Sequence, residues 1–244
     1  MAARKQTYSS WFTEEMWLTS EDPHSLGTGM AGLILDGFSG ITARKVQLFM
    51  VACARRVVHL LPGDLCRRAI DLAETAADAP GGLFAISQLP TFDQIQRELN
   101  PQEPPPDMLT IMGLAMAKEL TRPEDTGARM RHMIGGWAAG VVAIATNEPG
   151  SDAEIGPQVL LLHDIFGNLF RPPALDPAWL TWDAGTIPAI AQGIYEESAF
   201  HRLPILADAL EDAGCEDADI LAHCRGPGPH VRGCWVVDLM LGKK

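Results

Sequence analysis

Strand signals, long apolar runs and positive charge are all scarce in this sequence. No stretch alternates apolar and polar residues with a period of two, and no hairpin turn joins β-branched runs, which excludes a sheet-based fold. The longest weakly polar run, Met133 to Thr146, is 14 residues with three glycines. A bilayer needs about 20 residues, so this run reads as a buried helix and no membrane partner is expected. Lys and Arg number 19 against 31 Asp and Glu, giving a net charge of −12. That balance disfavours a dedicated duplex-DNA binder and docking on an anionic membrane. Five cysteines, an odd count without framework spacing, point to reduced thiols in a cytosol. The start, MAARKQTYSSWFTEE, lacks the apolar segment of a secretory signal, so a cytoplasmic location is expected. P-loop, HExxH, GxSxG and CxxC patterns are missing too, which moves weight away from catalysis.

Helical periodicity fills most of what remains. Thr13 precedes Glu14 and Glu15 as an N-cap with first-turn acids. Val46, Phe49, Met50, Cys53, Val57 and Leu60 recur at steps of three and four; after Pro62-Gly63, Leu65, Ala69, Leu72, Ala73 and Ala76 continue that period. This predicts an αα-hairpin over 42–79 within an N-terminal region 1–80. Pro80, Pro101 and Pro104 to Pro106 mark 81–107 as a Pro-rich connection, followed by a C-terminal helical region, 108–244, which is either separate or part of one domain with the first. Within it, helices are expected over 108–120, 126–146, 154–166, 186–197, 201–213, 217–223 and 230–241, with a loop over 171–188 that carries Trp179 and Trp182. The fold class is all-α: an irregular multi-helix bundle, with HEAT-type helix pairs an option at the C-terminus.

Four constellations could carry chemistry. His223, Cys224, His230 and Cys234 form a chemically complete zinc set, with His230 and Cys234 four apart on one face of an expected helix. The competing reading is a packed corner in which the thiols are small core groups. Zinc is the single cofactor considered; otherwise none is expected. Gly27-Thr28-Gly29-Met30-Ala31-Gly32 spells GxGxxG, but no strand precedes it and no acid follows at the required distance, so it reads as a flexible connection. His163-Asp164 is similar to the paired ligands of HD-type phosphohydrolases, with His59 or His132 and Asp208 as further ligands; the bland alternative places Leu160, Leu161, Ile165 and Phe166 in the core and the pair at its border. Arg44, Lys45, Arg55, Arg56, Arg67 and Arg68 concentrate basic charge in the hairpin, where they could meet nucleic acid or an acidic partner, or form a solvated face.

Two segments resemble a family of uncharacterised bacterial proteins of planctomycete type. One runs from Arg44-Lys45-Val46-Gln47-Leu48-Phe49 to His59-Leu60-Leu61. The other comprises Asp164-Ile165-Phe166-Gly167-Asn168, Arg171-Pro172, Leu175-Asp176-Pro177-Ala178-Trp179-Leu180-Thr181-Trp182 and Leu203 to Gly242. The resemblance implies a helical bacterial protein and brings no activity. The leading expectation is a non-catalytic interaction or regulatory protein acting through a protein partner. A zinc-binding protein with a C-terminal His/Cys site comes second, structural before hydrolytic, and a nucleic-acid-associated component third.

Overall fold

A computed structural model describes residues 10–60, 65–79 and 154–244. Expectations that fall on 81–153, the Pro-rich connection and the two helices after it among them, lie outside these residues. Among the described residues every regular element is a helix, and the fold class is all-α. No helix there is long and apolar enough to cross a membrane. The chain divides into two compact units, Met1–Val159 and Leu160–Lys244.

The first unit contains α1 (Glu14–Thr19), α2 (Pro23–Leu35), α3 (Ala43–Val57) and α4 (Leu65–Asp78). Thr13 caps α1 through its side chain, as its sequence context predicts. Asp22 caps α2, accepting from the backbone N–H of His24 and Ser25 at 3.0 and 3.1 Å. The glycines at 27, 29 and 32 do not form a connection; they lie inside α2 and are buried. Gly29 shows why: a Cβ there would sit 2.2 Å from the Phe12 ring. The missing side chain lets Phe12 lie against the helix, where it also meets Trp17 edge-on at 6.3 Å. Helix propensity favoured a break, and burial of two aromatic rings overrode it.

The Asp22 cap carries a pH dependence. The Ser25 hydroxyl, donating to the carboxylate, holds its pKa below the ordinary value, helped by the N–H groups of His24 and Ser25. A carboxyl lowered on folding stabilises above its unfolded value of about 3.9, and that contribution is lost as pH falls through the lower, folded value. Asp22→Ala should cost about 1 kcal/mol at neutral pH, and denaturation midpoints for the two chains should converge in acid.

The hairpin α3–α4 forms as expected, with Thr42 as the N-cap of α3. Its arginines are largely engaged by carboxylates. Arg44 donates to Asp78 at 2.8 Å, and Arg55 bridges Asp71 at 3.0 Å and Glu74 at 2.7 Å across the pair. Asp71, one turn from Arg67 on its own helix, therefore receives a cation from the facing one. Arg56 holds Glu154 through two parallel bonds of 2.8 and 2.9 Å. Arg67 and Arg68 are exposed, and Lys45 is half-buried.

The second unit begins within α5 (Ile155–Phe166) and continues through α6 (Pro177–Thr181), α7 (Thr186–Glu197), α8 (Leu203–Asp212), α9 (Ala218–Arg225) and α10 (Trp235–Leu241). Its core is built from Ile187, Ala191 and Ile194 of α7, Leu206 and Leu210 of α8, Ile220 and Cys224 of α9, and Val236, Val237 and Met240 of α10. Helix α9 packs on α8, as a helix pair would, but α10 packs chiefly on α7. The last helix thus returns to an earlier one and closes a small bundle. The expected loop over 171–188 contains α6, capped by Asp176, and buries Trp179.

Two sequence expectations change here. Leu160, assigned to the core, is 50% exposed, whereas Asp164, assigned to its border, is 3% exposed. The helix expected from residue 230 starts at Trp235, with Cys234 as its N-cap residue. Residues 226–233 form a turn that brings His230 back toward α5.

Candidate metal centre

Four side chains from four places in the second unit converge. Asp164 projects from the last turn of α5, His223 from the last turn of α9, His230 from the turn that follows, and Cys234 from the start of α10. Their donor atoms all lie within 4.8 Å of one another. Asp164 Oδ1 sits 2.6 Å from His230 Nδ1 and 3.2 Å from His223 Nε2. The same Nε2 lies 3.2 Å from Cys234 Sγ. The two imidazole rings meet edge to face at 4.8 Å.

The sequence set and the structural set share His223, His230 and Cys234, and differ in the fourth member. Cys224, expected there, is fully buried in the apolar core. Asp164 takes its place from a helix 66 residues upstream of His230. His230 and Cys234 meet through a turn rather than along one helical face. His163, the neighbour of Asp164, is half-buried and not one of the four. Of the other HD-type candidates, Asp208 is exposed and paired with Arg225 at 2.8 Å, and His59 is exposed in the first unit. His132 lies outside the described residues.

Backbone groups orient the two donors that meet at 2.6 Å. Asp164 Oδ2 accepts from the Val231 N–H at 2.9 Å, which aims Oδ1 at the histidines. His230 Nε2 faces the Gly226 carbonyl at 3.4 Å. In the metal-free protein the His230 Nδ1–H donates to Asp164 Oδ1 at 2.6 Å. A metal taking that proton's place would leave a neutral imidazole with its proton on Nε2, facing the Gly226 carbonyl, the arrangement in which a carbonyl fixes the tautomer of a metal-bound histidine.

Electrostatics follow from this crowding. Burial alone would raise the Asp164 carboxyl, but hydrogen bonds and positive charge from His223 and His230 hold it below the ordinary range. Burial alone would lower His230; the Asp164 hydrogen bond and charge outweigh it and raise it. Burial pushes the Cys234 thiol well up and Asp164 adds to this, opposed by the N–H groups of Val237 and Val236. A thiol raised and fully enclosed is a poor nucleophile. The geometry also differs from a Cys–His–Asp triad, in which the carboxylate orients the nitrogen remote from the thiol; here both meet the same Nε2.

The four donors form a set of the kind that can hold a divalent cation. His223 Nε2 lies 3.2 Å from both the Asp164 carboxylate oxygen and the Cys234 sulfur, and a metal in the cluster would take lone pairs from all four donors at once, with the thiol giving up its proton on binding. Two anionic donors and two neutral imidazoles balance a dication, which removes net charge from a buried site. No family model, curated protein or solved structure matches this chain.

Proposed function

We propose that this is a non-catalytic helical protein whose C-terminal unit is held together by a structural zinc ion bound to Asp164, His223, His230 and Cys234. The observation that carries the reading is the convergence of those four donors, within 4.8 Å of one another, from three helices and a turn. Tetrahedral zinc, with bonds of about 2.0–2.3 Å, sets donor separations of roughly 3.3–3.6 Å. The two 3.2 Å separations at His223 Nε2 are already close to that; the 2.6 Å pair must open and the widest pair must close.

One thiolate with two imidazoles favours zinc over the hard cations that prefer all-oxygen sites. Four protein donors complete the coordination, and a site without an open position is structural rather than catalytic. Such an ion ties the start of the unit to its last helix, so metal binding adds to folding stability. A protein so stapled acts by binding, and a protein partner is the role we attach to it. Free thiols at Cys53, Cys215, Cys224 and Cys234 suit a reducing compartment.

Native mass spectrometry of full-length protein, stripped of metal and titrated with zinc, tests this. One tightly held zinc per chain is expected, with a rise in melting temperature on loading. With cobalt(II) in its place, an intense tetrahedral visible spectrum with a thiolate charge-transfer band should appear. A chain that stays metal-free at micromolar zinc, with unchanged melting temperature, overturns the proposal.

A further inference from the structure

The two histidines of the site are held differently. The far nitrogen of His230 faces the Gly226 carbonyl, whereas His223 Nδ1 has no protein hydrogen-bond partner among the described residues. A metal-ligating imidazole normally has its ring plane fixed by such a bond to a carboxylate, a carbonyl or water; with no protein acceptor at Nδ1, packing is what the protein itself supplies to orient His223. Its other ring neighbour is Trp235, with centroids 5.0 Å apart and planes at 54°. Trp235 is itself clamped. A Cβ on Gly167 would lie 3.0 to 3.3 Å from indole atoms Cγ, Cδ2 and Cδ1, so the ring rests on the bare backbone that ends α5. Gly167 has φ of +61°, a conformation open to glycine at little cost.

Resting on the zinc reading above, we infer that Trp235 is the positioning residue for His223, replacing the missing hydrogen bond by packing and tuning the metal affinity of the site. Three links make the connection: Gly167 lies three residues beyond Asp164, Trp235 follows Cys234 directly, and the indole bears on His223. One aromatic side chain thereby joins the segments that carry three of the four donors. An imidazole bound to zinc also gains positive character, which the π face of an indole favours over a saturated side chain of similar size.

The test uses the full chain and the variants Trp235→Phe, Trp235→Leu and Gly167→Ala. Zinc affinity is read by competition with a chromophoric chelator, and cobalt(II) absorption reports site geometry. Trp235→Phe should stay within about threefold of the parent and keep its cobalt spectrum. Trp235→Leu should lose about 10–100-fold in zinc affinity, with altered cobalt bands. Gly167→Ala, which displaces an intact indole, should shift both readouts in the same direction. A leucine variant with parental affinity and spectrum overturns the inference, and so does a phenylalanine variant as impaired as the leucine one. Failure of the parent chain itself to bind zinc overturns the zinc reading and takes this inference with it, which separates the two.

Discussion

Replacing Asp164 by alanine should abolish zinc binding and destabilise the metal-free protein by about 3–5 kcal/mol, the range for removing one partner of a buried ion pair. The carboxylate is 3% exposed and meets both histidines and the Val231 N–H. Its removal leaves the imidazoles facing a cavity and a backbone donor without an acceptor. Asp164→Asn separates the two effects. It keeps the size and one oxygen acceptor while discarding the charge, so the metal-free chain should lose less than the alanine variant, while zinc affinity still falls steeply. Urea denaturation in the presence of a chelator, beside metal titration of the same samples, gives both numbers. An alanine variant of parental stability would mean that Asp164 is not the hub its contacts describe.

Much of the helical framework could be read locally, because caps and periodicity are local. Thr13, Thr42, Asp176 and Asp217 each cap the helix that follows. The stripe of Val46, Phe49, Met50 and Val57 is buried as its spacing requires. Local rules failed where tertiary packing decided. Three glycines signalled a break in 23–35, yet all three are buried inside the helix, and the space that Gly29 leaves is filled by the Phe12 ring. For the basic residues of the hairpin the sequence left both a solvated face and a binding ridge open, because it does not show that Asp78, Asp71, Glu74 and Glu154 come to face Arg44, Arg55 and Arg56.

The candidate site was half legible for the same reason. His223, His230 and Cys234 fall within a short stretch, so spacing alone could group them. Asp164 reaches them only through the fold, and its sequence context, inside an apolar helix, pointed to a border position. A buried carboxylate within that apolar run was the available signal, since such a group needs partners that the run does not supply.

The contrast between the two cysteines therefore decides which grouping is correct. Cys234→Ser should reduce zinc affinity by at least 100-fold, because a hydroxyl is not ionised at neutral pH and a thiolate is the stronger zinc ligand. Cys224→Ser should leave zinc stoichiometry at one per chain and instead lower stability by about 1–3 kcal/mol, the cost of a hydroxyl in apolar surroundings. Cys224 is fully buried among the core residues of the bundle, and burial pushes its thiol up to about 12, so it stays protonated and apolar in character. The two variants should thus separate cleanly, one changing metal and the other changing fold stability in chelator. Equal loss of zinc in both would restore the sequence grouping and displace Asp164 from the site, whereas retention of zinc by Cys234→Ser would leave the thiol a core group.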